Sequence, residues 1–172
     1  PFQDLLREIA SDQLVLANAN SEVGTGGDVG RSICALESTD RGLILEKQAL
    51  AISYGEYADA IVATARRNPD SAETDQIQIV CRRAGLTLEP TSTWDAMGLR
   101  GTCSMGFRLV AQVDPAMVYE APWSVIASTG GVQAGLILLS SVWVGLAEAA
   151  AAKAHTSVRA AARRSVDTVP PS

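Results

Sequence analysis

Residues 75–83, DQIQIVCRR, are the clearest strand signal in this sequence. Apolar side chains alternate there with two glutamines, and the apolar set is Ile77, Ile79 and Cys81. A period of two is typical of a strand with one buried face. The pattern therefore predicts that the apolar set faces a core, and that Gln76 and Gln78 face solvent.

Similar runs rich in β-branched residues lie on both sides of this strand. They are GLILE at 42–46, ADAIVATARR at 58–67 and GFRLVAQVD at 106–114, with a weaker alternation in RSICALES at 31–38. In the 106–114 run, the inward residues are predicted to be Phe107, Leu109, Ala111 and Val113. Turn signals separate the runs, including Asn-Pro-Asp at 68–70. Because no long helical pattern lies between them, residues 13–121 predict an antiparallel β-barrel, with a sandwich as the alternative.

The two ends of the sequence are predicted to be helical. Residues 1–12 begin with a short amphipathic pattern in which Leu5, Leu6 and Ile9 share one face. From Gly131 to Arg164 the sequence is rich in Ala and Leu and contains no proline, which favours a long helix within residues 122–172. The closing VDTVPPS is predicted to end it. The fold class is therefore α+β.

Composition excludes several classes of protein. A chain of 172 residues that is 47% hydrophobic can bury an ordinary core. Its net charge of −5 disfavours nucleic-acid binding, which needs a basic surface. Three separated cysteines and one histidine do not form a zinc motif. They fit a reducing compartment, and a cytoplasmic location is expected.

A membrane span is a competing interpretation of the apolar helix. The uninterrupted apolar part, residues 132–147, is short for a hydrocarbon layer of about 30 Å and contains polar residues. A core or interface helix is the preferred interpretation. Trp143 of this helix is expected to be a core anchor, and so is Trp94 in the middle of the sequence. Because its faces exceed what one barrel can cover, the helix predicts a homo- or hetero-oligomer.

The glycine-rich stretch NSEVGTGGDVGR, residues 20–31, raises the question of phosphate binding. It does not fit the dinucleotide fingerprint, because Val29 stands where the third glycine belongs and no helix follows. It is not a P-loop, because no Gly-Lys-Ser/Thr follows. From these residues alone, a turn between two strands and a phosphate cradle both stay open.

Three stretches resemble motifs of the acyl-CoA dehydrogenase family. SEVGTGGD at 21–28 is similar to the family loop TEPGAGSD, and AISYGEYAD at 51–59 to the segment W-I-[ST]-N-G-x-x-A-D. WDAMGLRGTCS at 94–104 is similar to WDTLGMRGTxS, which is the longest match. The resemblance spans nearly the whole sequence. It implies the end of an N-terminal helical domain, a middle β-barrel, and the first helix of a C-terminal bundle, so a fragment or truncated member is expected.

The resemblance also implies an activity. Family members bind FAD and oxidise an acyl-CoA thioester to the 2,3-enoyl-CoA, with hydride transfer to flavin N5 and electrons passed to an electron-transfer flavoprotein. The implied cofactor contacts are Asn20 (through its backbone), Ser21, Gly26, Gly27, Ile52 and Ser53. No metal site is implied. The family's catalytic glutamate lies in a region with no counterpart here, so no catalytic residue is assigned and this chain alone is expected to be inactive.

Departures from the motifs keep two alternatives open. Gly27 replaces the serine of the family loop, and Ala51 replaces the tryptophan that stacks on the flavin. A flavin-dependent monooxygenase of the same fold is one alternative. A non-catalytic structural subunit of a heteromeric dehydrogenase is the other. Glu22 is expected to bond loop amides, and Arg100 to form an ion pair.

Overall fold

The computed structural model describes residues 1–167, which form two compact units, Pro1–Ile126 and the residues from Ala127 onward. The helices are α1 (Phe2–Asp12), α2 (Trp123–Ser128) and α3 (Gly131–Asp167). The strands are β1 (Leu16–Ala19), β2 (Leu36–Thr39), β3 (Gly42–Ala49), β4 (Ala60–Arg66), β5 (Gln76–Arg82), β6 (Leu86–Pro90), β7 (Phe107–Val113) and β8 (Val118–Tyr119). The predicted division at residues 12 and 121 stays a prediction.

The strands of the first unit form two four-stranded sheets, and the predicted closed barrel is wrong for the described residues. One sheet has the order β1-β4-β5-β8, and the other has the order β2-β3-β7-β6. All neighbouring strands are antiparallel except β1 and β4, which run parallel. A parallel pair requires a crossover, and here the β2–β3 hairpin of the other sheet lies between β1 and β4 in the sequence. The fold class is α+β, as predicted.

Both sheets contribute side chains to one hydrophobic core. Leu45 of β3, Ile61 of β4 and Ile79 of β5 are all fully buried in it. The four residues of β7 that were predicted to face inward are buried there as well: Phe107, Leu109, Ala111 and Val113. Two sheets that meet through alternating inward side chains are typical of a sandwich.

Strand β5 is buried on more of its surface than its alternation predicted. Gln76 is fully buried, although it was predicted to face solvent. Its Oε1 accepts a hydrogen bond from Ser32 Oγ at 2.7 Å, and its Nε2 donates to the Val29 carbonyl at 3.2 Å. The glycine-rich stretch and the residues after it thus cover this end of the strand. A buried glutamine whose polar atoms are paired is tolerated in a core.

Helix α1 is fastened to β5 by an ion pair. Leu5 is buried on the helix, but Leu6 is 65% exposed, so the predicted apolar face is narrower than its sequence indicated. Both carboxylate oxygens of Glu8 accept from the Arg82 guanidinium at 2.7 Å. This two-point geometry holds the pKa of Glu8 below its ordinary value, because the guanidinium hydrogen bonds stabilise the carboxylate.

Helix α3 extends over 37 residues. Its large apolar side chains are exposed: Leu136, Ile137, Leu138, Leu139, Val142, Trp143 and Leu146 are each at least half exposed. Trp143 was expected to anchor a core, and it is 63% exposed instead. Residues 132–164 are long and apolar enough to cross a membrane by length and composition, which is weak evidence by itself because core helices meet the same criterion. The predicted end of the helix within VDTVPPS lies largely outside the described residues.

Candidate functional site

Three segments that are far apart in sequence meet at one place in the first unit. We call them the glycine loop (residues 20–31), the serine segment (51–59) and the tryptophan segment (94–104). Ser21 Oγ of the glycine loop donates to the Ala51 carbonyl of the serine segment at 3.2 Å. Ser53 Oγ lies 2.8 Å from Ser104 Oγ of the tryptophan segment. The structure therefore assembles the three motifs that the sequence singled out.

Backbone hydrogen bonds reinforce the junction between the second and third segments. The amide of Ile52 donates to the Met105 carbonyl at 2.9 Å, and the amide of Tyr54 donates to the Thr102 carbonyl at 2.8 Å. Ile52 is fully buried, whereas Ser53 is exposed. Because the Ile52 side chain is in the core and its amide is paired, it anchors the segment. Ser53 is then presented outward.

The glycine loop has a backbone that requires glycine. Gly24 has a φ of 97°, and a Cβ added there would lie 2.8 Å from Ile33 Cδ1. Gly26 and Gly27 also have positive φ, at 66° and 87°, with open space on the side where a Cβ would stand. Among the described residues, nothing accepts a hydrogen bond from the amides of Gly26 and Gly27. Two consecutive free amides in such a turn are suited to an anionic group.

A buried carboxylate closes the loop from beneath. Glu22 is 5% exposed, and it accepts from the amides of Ile33 at 3.2 Å and Cys34 at 2.7 Å. Glu22 therefore bonds backbone amides, as predicted, but they belong to Ile33 and Cys34, which follow the loop, and not to residues 20–31. The Glu22 carboxylate thus ties the first residues of the loop to the residues that follow it, and holds the two ends of the loop together.

Lys47 is the buried counter-ion of Glu22, and the sequence did not lead us to expect it. Its Nζ lies 3.1 Å from Glu22 Oε2 and donates to the Thr64 carbonyl at 2.9 Å. Lys47 belongs to β3 in one sheet and Thr64 to β4 in the other, so the ammonium bridges the two sheets under the loop. One signal was available, since Lys47 occupies an inward position of β3 between Leu45 and Ala49, both of which are buried.

Cys34 lies within this buried cluster. Its Sγ is 3.5 Å from Glu22 Oε2 and 3.7 Å from Lys47 Nζ. Burial raises the pKa of the Cys34 thiol to about 12, because the thiolate loses its hydration. The thiol is therefore protonated at neutral pH, which makes it a packing group and a weak donor.

The other predicted site residue, Asn20, is partly buried. Its Oδ1 atom is buried and has no hydrogen-bond partner among the described residues. An unpaired buried acceptor of this kind costs about 1–3 kcal/mol.

Left-handed backbone conformations cluster at the same place. Of the four residues other than glycine with positive φ in the described part of the chain, three belong to these segments: Tyr54, Leu99 and Cys103. Each such residue costs about 1–3 kcal/mol and persists only where its surroundings determine it. Tyr54 directly follows Ser53, and Cys103 directly precedes Ser104, so two of these turns lie next to the two serines that are in contact.

The tryptophan segment is a structured loop. The Arg100 guanidinium lies 2.9 Å from Asp95 Oδ1 and donates to the Ala96 carbonyl at 2.8 Å. The expected ion pair of Arg100 is therefore present, although both partners are well exposed. Trp94 Nε1 donates to the Leu99 carbonyl at 3.2 Å. These bonds hold Leu99 in place, and its side chain is 73% exposed.

Taken together, the site offers hydroxyls, free amides and exposed apolar groups. Among the residues that the structure describes, no three His, Cys, Asp or Glu side chains are grouped to hold a metal ion. The hydroxyls of Ser21 and Ser53 and the amides of Gly26 and Gly27 are suited to a polar ligand edge. Ala51 is half-buried and offers no aromatic surface for stacking.

Solved structures share this fold. An acyl-CoA dehydrogenase from Geobacillus kaustophilus matches with a TM-score of 0.59 at 21% identity, over 70% of this chain and 32% of that one. Glutaryl-coenzyme A dehydrogenase in complex with glutaryl-CoA matches with a TM-score of 0.57 at 16% identity, over 70% and 31%. A prolyl acyl carrier protein oxidase matches with a TM-score of 0.57 at 18% identity, over 68% and 31%. No family profile and no curated protein sequence matches the chain.

The chain thus spans about a third of the length of the structures it matches. Their names are those of dehydrogenases and an oxidase, and the fold agrees with the resemblance carried by the three segments. We conclude that this chain has the fold of the acyl-CoA dehydrogenases and related FAD-dependent dehydrogenases.

Proposed function

We propose that the full-length protein is an FAD-dependent dehydrogenase that oxidises an acyl-CoA thioester to its 2,3-enoyl form. The observation that carries the proposal is the meeting of the three segments through Ser21–Ala51 and Ser53–Ser104. Each segment resembles a motif of that family. The three segments are far apart in the sequence and come into contact in the folded structure. The shared fold of the solved dehydrogenases supports the same reading.

The residues present fit a flavin edge. Ser21 supplies a hydroxyl bonded to the Ala51 carbonyl, Ser53 supplies an exposed hydroxyl in the same segment as Ala51, and the free amides of Gly26 and Gly27 suit a phosphate group. FAD, when bound, supplies the capacity to accept two electrons from the substrate, which no side chain has. The role of this chain is then to hold and orient the cofactor. The buried Glu22–Lys47 pair supports that role, since it fixes the loop that carries Ser21.

The substrate side of the site is only partly built by these residues. Exposed apolar side chains beside the hydroxyls, namely those of Tyr54 and Leu99, offer a surface for an acyl chain. We assign no catalytic base to residues 1–172. In the full-length protein, removal of the α-proton is proposed to fall to a carboxylate outside them, and electrons to pass to an electron-transfer flavoprotein.

A structural subunit is the second candidate, and two observations favour it. Ala51 supplies no stacking surface, and Gly27 leaves open space where the family serine stands. Both changes remove cofactor contacts but leave the fold intact. We also propose that the protein assembles as an oligomer, because α3 exposes an apolar surface, and that it acts in the cytoplasm.

Anaerobic mixing of the full-length, FAD-loaded protein with acyl-CoAs of graded length tests the proposal. We expect the flavin absorbance to bleach with one class of acyl chain and the 2,3-enoyl product to appear by mass spectrometry. Bound flavin that no acyl thioester bleaches, but that consumes oxygen once reduced chemically, would favour the monooxygenase. Failure of the full-length protein to retain any FAD would favour the structural subunit.

A further inference from the structure

A short hydroxyl network joins the serine and tryptophan segments. Ser53 Oγ lies 2.8 Å from Ser104 Oγ, which lies 2.7 Å from Thr102 Oγ1. Thr102 Oγ1 in turn lies 2.9 Å from the Leu99 carbonyl oxygen. Four oxygens are thus connected by three contacts at hydrogen-bond distance.

Counting protons sets the direction of every bond in the network. Each of the three hydroxyls of Ser53, Ser104 and Thr102 carries one proton, and the carbonyl of Leu99 carries none. Two oxygens at 2.7–2.9 Å without a proton between them repel each other. Three contacts therefore require three protons. Since the carbonyl can only accept, Thr102 donates to Leu99, Ser104 donates to Thr102, and Ser53 donates to Ser104.

The terminal acceptor is held firmly in place. The Leu99 carbonyl also accepts from Trp94 Nε1 at 3.2 Å and from the Thr102 amide at 3.1 Å. Leu99 has a φ of 53°, so this carbonyl is fixed by a turn that ordinary residues avoid. Rotation of the carbonyl away from Thr102 would break all three bonds at once.

The consequence falls on Ser53. Its only proton is committed to Ser104, and its side chain is exposed, so toward a ligand it offers lone pairs alone. We propose that Ser53 is an obligate acceptor, and that Ser104 and Thr102 are positioning residues that make it one. The site then selects a ligand group that carries N–H and disfavours a bare ring nitrogen at that place.

This inference rests on the proposed function, where it has a redox meaning. Reduced flavin carries a ring N–H that oxidised flavin lacks. A reduced flavin whose ring N–H faced Ser53 would therefore be stabilised by this acceptor relative to the oxidised flavin. One hydrogen bond of net 0.5–1.5 kcal/mol corresponds to an affinity ratio of about two- to tenfold.

The test measures the affinity of the full-length protein for oxidised FAD and, without oxygen, for chemically reduced FAD. We expect Ser104→Ala to lower the reduced-to-oxidised affinity ratio by about two- to tenfold, because Ser53 becomes free to donate. Thr102→Val lowers the same ratio by removing the acceptor at the end of the hydroxyl row. Thr102→Ser keeps the hydroxyl and retains the wild-type ratio, which makes it the matched control.

Several results would overturn the inference. A role in folding alone would lower both affinities equally in Ser104→Ala and leave the ratio unchanged. A Ser53→Ala variant that loses affinity mainly for oxidised FAD would show that Ser53 donates. If the wild-type protein binds no FAD, the proposed function fails. Neutron diffraction on crystals of the full-length protein then still decides the proton directions, and deuterium pointing from Ser104 to Ser53 would contradict the inference.

Discussion

The two compact units use their apolar residues in opposite ways. In the first unit, leucines and isoleucines of both sheets are buried against each other, and Leu45, Ile61 and Ile79 have no exposed surface. In α3, residues of the same types are half or more exposed, with Leu138 at 69%. The side chains in the two units are of the same apolar types, but only those in the sheets are covered by other residues. The two sheets cover these residues within one unit, whereas α3 leaves them as an exposed apolar surface, which is typical of an interface.

Removing the ammonium under the glycine loop gives the largest expected effect on the first unit. Lys47→Met leaves the Glu22 carboxylate buried without its counter-charge, and loss of one partner of a buried pair costs about 3–5 kcal/mol. Urea unfolding of the full-length protein measures the change. The double variant Glu22→Gln/Lys47→Met is the control and regains part of the loss, because no buried charge is left. Equal stability of Lys47→Met and wild type would show that the pair does not brace the sheets.

A matched pair of leucine substitutions tests the comparison of the two units directly. Leu45→Ala opens a cavity in the closed core and is expected to cost about 2–5 kcal/mol of unfolding free energy. Leu138→Ala removes the same atoms from an exposed helix position where alanine is equally helix-forming, so stability is expected to stay unchanged in dilute monomer. Sedimentation is expected to show weaker self-association for Leu138→Ala. A large loss of monomer stability in this variant would mean that α3 is covered within its own chain.

The Glu8–Arg82 pair predicts how α1 responds to pH. The pKa of Glu8 is lowered from 4.5 in the folded state by its hydrogen bonds to Arg82. A depressed pKa adds stability that is present above pH 4.5 and is lost as pH falls through the folded value. Glu8→Gln is therefore expected to be less stable than wild type at pH 7, with a difference that shrinks below pH 4. A difference that persists at low pH would rule out the ion pair as its source.

Thiol labelling is the prediction with the smallest effect. The reaction rates of the three cysteines report on how well the core of the first unit excludes solvent. Burial raises the pKa of Cys34 and of Cys81 to about 12, so at pH 8 only about one thiol in ten thousand at each position is ionised. Cys103 is less buried than Cys81 and lies in the tryptophan segment, outside the cluster around Glu22. We expect one fast-reacting thiol in the native protein, and Cys103→Ser to remove it. Two fast thiols in wild type would indicate that the cluster around Glu22 is open.

Sequence reasoning was most successful where local periodicity determines structure. The inward residues of β7 are buried as predicted, because alternation in a strand directly sets which face meets the core. Sequence reasoning failed where the structure depends on contacts between segments that are far apart in the sequence. The parallel pairing of β1 with β4 and the burial of Gln76 both depend on chain that returns from elsewhere. Trp143 was misplaced for a related reason, since residue type shows that a side chain is apolar and does not show what covers it.

The candidate site likewise has features that the sequence predicted and features that depend on contacts between distant residues. The three segments were found from their motifs, and their residues lie together as such motifs require. Lys47 was missed because lysine is mostly a surface residue, although its position between Leu45 and Ala49 in an alternating strand indicated the inward face. The hydroxyl network was missed as well, since Ser53 and Ser104 are 51 residues apart and meet only through two left-handed turns.

Hydrogen exchange of the full-length protein with and without FAD tests the central claim most directly. The account predicts that FAD slows exchange in peptides from all three segments, residues 20–31, 51–59 and 94–104, and leaves the β2–β3 hairpin unchanged. Protection of one segment alone, or protection confined to the hairpin or to α1, would contradict the claim that the three segments form one cofactor site.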